Sequence, residues 1–238
     1  MRGVASGDRP GRRPAGDPAP ELATEAEVAH LAAGFHLDLL GGFATEPADG
    51  LPEEVATVLL FGALEPGFWD YLATCPEGRD RQPDPVDRWS RRALDGLARA
   101  IHPGARPRFP FGGPPHDPFP AWALRSGRCR ISPVGLLVHE SCGLMVSFRG
   151  ALWLPGAVAL SPPFPPPCEG CAAPCKDACP IGALTPAGYD VPACRSWLAG
   201  AEGHACMSEG CAVRRACPVG RDRSPSAARA RHHMRSFL

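Results

Sequence analysis

Eight of the eleven cysteines lie between Cys168 and Cys217, and this density is the strongest chemical signal in the sequence. They fall into two sets of four: Cys168, Cys171, Cys175 and Cys179, followed by Pro180, and Cys194, Cys206, Cys211 and Cys217, followed by Pro218. Closely spaced thiolates on a turning loop can wrap a [4Fe-4S] cube, in which each iron takes one protein sulfur. Two sets of four would supply two cubes with no cysteine left over.

The proline after each set favours a crossed assignment, because a distal Cys-Pro ligand typically binds the other cluster of a two-cluster protein. We therefore expect a first cluster on Cys168, Cys171, Cys175 and Cys217 and a second cluster on Cys179, Cys194, Cys206 and Cys211. The first set departs by one residue from the common bacterial C-x2-C-x2-C-x3-C-P spacing, and the second set is looser. These departures leave other allocations open.

Two other uses of the cysteines are open. Two zinc ions, each held by four thiolates, would also use all eight, although zinc ribbons usually pair C-x2-C knuckles and need no proline after the last cysteine. Disulfides fit poorly, because the total is odd and no secretory signal is readable at the N-terminus. We expect the protein to be cytoplasmic. In that reducing compartment a dense cysteine cluster is typical of a metal or cofactor site.

Composition argues against two broad classes of protein. The 25 Lys and Arg residues balance 25 Asp and Glu residues, which argues against a dedicated nucleic-acid binder. No uninterrupted apolar run reaches the roughly 18 residues of a spanning helix, so a transmembrane protein is excluded at this level. The chain contains 27 Gly and 30 Pro among 238 residues, which predicts that much of it is loop.

The first elements are readable from local patterns. Residues 1–20 lack apolar periodicity and are expected to be a disordered leader. Thr24 and Glu27 form a capping-box pattern that predicts a short helix. Residues 36–43 and 55–63 are predicted strands, and the second is a continuous apolar run typical of a strand buried on both faces.

Prolines mark the next elements. Pro66 predicts a short helix, and Asp84-Pro85 predicts the start of a longer amphipathic one. The many prolines of residues 102–120 argue against a regular element and predict an ordered loop over a cavity. Another helix is expected around residues 121–125.

The remainder suggests a two-domain organisation. Residues 135–148 resemble a β-hairpin, with two apolar runs around a short turn. The expected order is a leader at 1–20, an α+β domain at 21–155, a proline-rich linker at 156–167, a loop-rich two-cluster module at 168–220 and a basic C-terminal tail at 221–238.

These motifs together resemble the epoxyqueuosine reductase family. Residues 132–152, SPVGLLVHESCGLMVSFRGAL, resemble the hairpin that precedes the cluster module of that family, and CEGCAAPCKDACPIGAL resembles its first cysteine run. YDVPAC at 189–194 matches its isolated cysteine, and CMSEGCAVRRACPVG matches its last three. The resemblance covers about residues 115–220.

The resemblance implies a nitroreductase-like, cobalamin-binding α/β domain followed by a ferredoxin-like module with two [4Fe-4S] clusters. The cluster allocation of the family agrees with the crossed assignment. The helical-repeat region with which such enzymes hold tRNA is missing from this sequence, so tRNA is not an expected partner.

The catalytic aspartate of the family has a comparable position here in Asp117, within HDPFPAWAL. With His116, Asp117 could supply protons beside a bound cobalamin or FMN. The alternative is that Asp117 caps the helix that starts at Pro118, where an aspartate is favoured for ordinary structural reasons.

Other residues have ordinary explanations. His139 and Cys142 form an H-x-x-C pair, but two ligands do not make a metal site, and a turn with an incidental thiol is the preferred interpretation. Tyr189 is expected to pack against a cluster. The three early cysteines are expected to pack in apolar surroundings: Cys75, Cys129 and Cys142.

The arginines after Cys211 could dock an acidic redox partner or RNA, although a solvated helix is the default interpretation. The residues are Arg214, Arg215, Arg221, Arg223, Arg229, Arg231 and Arg235.

Three functions follow from these patterns. The preferred one is electron transfer through two [4Fe-4S] clusters to a redox partner protein. The second is a reductase in which the clusters feed a cobalamin or flavin under the 102–120 loop. The third is a protein whose metal sites are only structural.

Overall fold

The computed structural model describes residues 21–185 and 187–238 as a mixed α and β fold. The predicted leader at 1–20 lies outside the described residues. The strands are β1 (Glu21–Thr24), β2 (Leu37–Ala44), β3 (Thr57–Ala63), β4 (Arg106–Arg108), β5 (Cys129–Ile131), β6 (Leu137–His139), β7 (Phe148–Leu154), β8 (Ala157–Ala159), β9 (Leu184–Thr185) and β10 (Gly188–Tyr189). The helices are α1 (Glu25–Gly34), α2 (Phe68–Thr74), α3 (Pro76–Arg79), α4 (Pro85–Ile101), α5 (Phe119–Arg125), α6 (Val191–Ala199), α7 (His204–Glu209), α8 (Ala212–Ala216) and α9 (Ala227–Phe237).

An antiparallel sheet of order β2-β3-β7-β4 is the centre of the N-terminal part. All seven residues of β3 are buried, which confirms the prediction of a strand covered on both faces. Leu59 and Phe61 pack with α1, α2 and α4 on one face, whereas Val58 and Leu60 pack with α5 on the other. Because side chains alternate along a strand, one continuous apolar run serves both layers.

The helices at the start of the chain follow the predicted local signals. The side chain of Thr24 accepts a hydrogen bond from the backbone N–H of Glu27, and the Glu27 carboxylate accepts one in return from the Thr24 N–H at 2.7 Å. Helix α4 begins at Pro85 as expected, and it buries Trp89 and Leu97 against the sheet.

The predicted hairpin at 135–148 is wrong. The first apolar run contains β6, which pairs with β5 instead. In the second run, residues 144–147 form no strand, and only its last residue, Phe148, belongs to β7, which pairs with β3 in the central sheet. Between them a tight turn keeps one bridge, from His139 to Gly143. A long strand gains more burial inside a four-stranded sheet than in an isolated hairpin, which is only marginally stable.

The proline-rich segments contain more regular structure than predicted. Arg106–Arg108 forms β4 at the sheet edge, where Pro107 costs little because an edge strand can leave an N–H unpaired. Ala157–Ala159, within the predicted linker, forms β8 and pairs in parallel with β1.

The interpretation of the C-terminal arginines as a solvated helix is also wrong for part of the segment. Helix α9 buries Ala230 and Met234, and Met234 packs with Leu198 and Cys206. Arg229 pairs with Glu65 and Arg223 pairs with Asp38, so both arginines bind carboxylates from the N-terminal part of the chain. Helix α9 is therefore part of the packed structure.

None of the helices in the described part of the chain is both long and apolar enough to cross a membrane.

Arg128 is the centre of a buried ionic network that joins distant segments. Its guanidinium pairs with Glu140, bonds both carboxylate oxygens of Glu25 at 2.8 and 3.0 Å, and donates to the Ser161 carbonyl at 3.1 Å. A Cβ at Gly41 would lie 2.6 Å from the Arg128 Cγ, so glycine is needed there to admit the arginine stem. The network fixes the 139–143 turn relative to α1 and to the segment after β8.

We expect Arg128→Ala to lower the free energy of unfolding by about 3 kcal/mol, because it leaves the buried carboxylate of Glu140 without its cation. Urea denaturation of the two proteins measures the difference. The matched control is Arg106→Ala, which removes an exposed pair with Glu54 at 3.5 Å and should cost less than about 1 kcal/mol. Equal losses for the two variants would contradict the role of Arg128.

Candidate functional site

The structure gathers the eight clustered cysteines around two cavities. The first, of about 20 Å³, is lined by four of them: Cys168, Cys171, Cys175 and Cys217. The second, of about 80 Å³, is lined by the other four: Cys179, Cys194, Cys206 and Cys211. Each cavity is thus lined by the same four cysteines that the crossed assignment gives to one cluster. Their role as ligands stays a prediction.

The crossing arises from the path of the chain. The short helix α8 packs against the turn at Pro174–Lys176, so that Cys217, which follows α8, returns to the first cysteine run. Cys179 follows that turn and borders the other cavity, together with Cys194 on α6. The last cysteine of each set thus lies with the other set.

Within each cavity the thiols oppose one another's ionisation. Burial raises the pKa of Cys168, and the charges of Cys171, Cys175 and Cys217 raise it further. In the second cavity burial raises the pKa of Cys206, with smaller contributions from Cys211 and Cys179. A cationic centre bound between neighbouring thiols favours their joint deprotonation, because its charge compensates theirs.

A site for a single metal ion requires several ligand side chains that converge on one point. Within residues 21–185 and 187–238, no three side chains of Cys, His, Asp or Glu converge to hold one metal ion. The thiolates of an iron–sulfur cube each bind a different iron, whereas the ligands of one zinc ion surround the same atom.

Hydrogen-bond donors point at several of the sulfurs. The Ala173 N–H donates to Cys171 Sγ at 3.4 Å, and the Ala183 N–H donates to Cys179 Sγ at 3.3 Å. Ala173 adopts a φ of 51°, a left-handed conformation that is uncommon for a non-glycine residue. Such N–H···S bonds are among the interactions with which proteins tune iron–sulfur clusters.

The H-x-x-C pair organises a turn. The ring of His139 is buried, its Nδ1 accepts the backbone N–H groups of Ser141 and Cys142 at 3.1 and 3.3 Å, and its Nε2 donates to the Leu40 carbonyl at 3.1 Å. Burial lowers the pKa of His139. With both ring nitrogens occupied, the preferred interpretation of an ordinary turn fits these contacts.

This turn lies directly against the first cavity. A Cβ on Gly143 would be 2.9 Å from the Cys217 Sγ and closer still to the Val219 carbonyl oxygen. Gly143 also has a φ of 55°. No sequence pattern singled out this glycine, although its position directly after the H-x-x-C pair was a signal that could have done so.

Two of the three early cysteines are fully packed in the core. Cys75 lies in the core on the α4 side of the sheet, and Cys129 lies in the core on the α5 side, so apolar packing is confirmed for both. Cys142 is only partly buried, and it lies on the turn beside the first cavity.

The 102–120 loop borders an open cleft of about 420 Å³, as expected of a loop over a cavity. The polar residues of its lining are Asp87, Asp117, Ser147 and Arg149. The Arg149 guanidinium donates to the Ser147 hydroxyl at 3.1 Å, and its nearest carboxylate is Asp87 at 3.7 Å. Burial lowers the pKa of Arg149. This arginine was not identified from the sequence.

Asp117 lies in this cleft but does not cap α5. Its two carboxylate oxygens accept hydrogen bonds from Arg108 at 2.8 and 2.9 Å, and α5 has no side-chain cap. The capping interpretation is therefore wrong, because edge strand β4 places Arg108 within reach of the carboxylate. His116 is exposed. A proton-donor role for Asp117 would require its pair with Arg108 to open.

Comparison with solved structures shows what the fold is similar to. A selenomethionine-labelled epoxyqueuosine reductase superposes with a TM-score of 0.53 at 16% identity, covering 87% of this chain and 70% of that one. At this identity the likeness shows an overall fold similar to that of the reductase, and the nitroreductase-like domain and the two-cluster module stay predictions. No protein-family profile matches the chain, and no curated protein sequence matches it.

We expect Gly143→Ala to destabilise the protein more than Gly170→Ala. Both glycines have positive φ, but a Cβ on Gly170 would meet nothing within 4 Å, whereas one on Gly143 would press on Cys217 and Val219. The excess should be about 1–3 kcal/mol, the usual cost of overpacking. Urea unfolding of both variants measures it, and equal losses would show that the turn does not press on the cavity.

Proposed function

We propose that this chain is an electron-transfer protein that carries two [4Fe-4S] clusters. The observation that carries the proposal is the division of eight cysteines into two cavities of four. In the first cavity the four thiols have only apolar residues and Ser132 as neighbours in the lining. That donor set suits a cube, since each of four irons requires one thiolate and the apolar wall restricts water.

The residues of the two cavities would hold and tune the clusters. Cys168, Cys171, Cys175 and Cys217 would bind the first, and Cys179, Cys194, Cys206 and Cys211 the second. The clusters would accept and release single electrons, while the N–H donors at Cys171 and Cys179 favour the more negatively charged, reduced state. A redox partner protein in the reducing cytoplasm would exchange these electrons.

Metal and sulfide analysis of protein purified without oxygen tests the proposal. About eight irons and eight acid-labile sulfides per chain are expected, with an absorbance that bleaches reversibly on reduction. About two zinc ions without sulfide would overturn the proposal in favour of structural zinc sites. Iron that cannot be reduced without unfolding would favour a purely structural role.

Substitution of single cysteines tests the allocation in the same assay. Cys217→Ser should damage the first cluster and leave about four irons per chain. Cys142→Ser is the matched control, because Cys142 lies on the adjoining turn but does not line the cavity, and it should retain about eight. Loss of only the second cluster in Cys217→Ser would contradict the crossed assignment.

A reductase is the second candidate, and the cleft of about 420 Å³ favours it. This volume lies within the range of small-molecule sites. A cobalamin or flavin in the cleft of a nitroreductase-like domain would supply electron or hydride chemistry, facing Asp117 and the Arg149–Asp87 pair. Asp117 would then bind or orient a substrate and move a proton only after release from Arg108.

Reconstitution tests this second candidate. If the cleft holds a cofactor, added cobalamin or FMN should remain with the protein after gel filtration and show an altered absorption spectrum. Phe111→Trp places a larger side chain in the cleft and should weaken the retention of the cofactor. Leu124→Trp, on the exposed face of α5, should leave that retention unchanged. Failure of both cofactors to bind would exclude the reductase candidate and leave the electron-transfer proposal intact.

A further inference from the structure

One side chain within residues 21–185 and 187–238 donates a hydrogen bond to a sulfur of the two cavities. It is Tyr189, whose hydroxyl lies 3.2 Å from the Cys194 Sγ. Backbone N–H groups serve other sulfurs, such as Cys171 and Cys179. The two cavities therefore differ in one donor that a substitution can remove without changing the backbone.

Contacts with β9 and with the end of α9 fix the position of the Tyr189 side chain. The backbone of Tyr189 pairs with Leu184 in the β9–β10 hairpin. Its ring stacks on Phe237 at the end of α9, with centroids 6.0 Å apart and planes 7° apart. The Phe237 carbonyl accepts a hydrogen bond from Arg195 at 2.9 Å, which ties the end of α9 to α6.

The acceptor, Cys194, is also held in place by local structure. Cys194 lies on α6, and Asp190 caps this helix by accepting the Ala193 N–H at 2.9 Å. The Asp190 N–H in turn donates to the Ala183 carbonyl at 2.8 Å. Tyr189 and Cys194 thus lie on the two sides of one capped turn, which sets the position of the hydroxyl relative to the sulfur.

On the proposed two-cluster function, we infer that Tyr189 raises the reduction potential of the second cluster and so draws electrons towards that cavity. Reduction adds one negative charge, which spreads onto the ligand sulfurs, and a hydrogen bond to sulfur stabilises the charged state more than the oxidised one. The electron comes from the redox partner protein of the proposed function. Tyr189 is a positioning residue that acts through Cys194.

The test compares Tyr189→Phe with the unaltered chain, both loaded with clusters. Phenylalanine retains the ring and its stacking on Phe237 but removes the donor. Redox titration followed by electron paramagnetic resonance should show one potential shifted downward and the other unchanged. Tyr71→Phe is the control, because Tyr71 is the only other tyrosine and does not line either cavity; it should shift neither potential.

The outcomes separate this inference from the function on which it rests. Clusters present with both potentials unmoved in Tyr189→Phe would overturn the inference and leave the electron-transfer proposal standing. A shift in both potentials, or an equal shift in Tyr71→Phe, would also overturn it, because the effect would then be global. Absence of iron from the unaltered chain would overturn both. A Cys206→Ser variant identifies the signal of the second cluster, and a shift confined to the first signal would contradict the assignment.

Discussion

The return of the chain to its first cysteine run is the constraint on which the rest of this structure depends. Cys217 reaches the first cavity only because α8 packs on the turn at Pro174–Lys176 and because the 139–143 turn accommodates it. The His139 ring accepts a backbone N–H of this 139–143 turn, and Arg128 pairs with Glu140 in the same turn. The cysteine-rich segment at 168–220 therefore takes its shape partly from residues 128–143 of the preceding β-sheet part of the chain.

Local patterns predicted the elements whose formation depends on neighbours in sequence. The apolar run of β3, the capping box of α1 and the stripe of α4 are each encoded within one segment, and each is present. The position of prolines grouped the eight cysteines, and the structure brings the same fours together around two cavities. The rule that a Cys-Pro ligand crosses to the other cluster chose this grouping among the allocations that the spacing left open, and the role of the cysteines as ligands stays a prediction.

Partners from distant segments could not be predicted in the same way. Strand β7 pairs with β3 in the central sheet and not with β6, the strand before it in sequence, and no local pattern distinguishes the two choices. The carboxylate of Asp117 meets Arg108 because a proline-rich segment forms an edge strand. The orientation of the Tyr189 hydroxyl depends on Phe237, near the end of the chain. Each depends on tertiary contacts that sequence patterns do not record.

The parallel pairing of β1 with β8 limits how modular this molecule is. A proline-rich connector between two domains usually acts as a semi-rigid spacer. Here Ala157–Ala159 is held to the strand that opens the described chain, and the Ser161 carbonyl just beyond it accepts from Arg128. Transfer of residues 168–220 together with this connector to another scaffold would therefore break contacts with the β-sheet part of the chain. The two parts are better regarded as one interdependent unit than as interchangeable pieces.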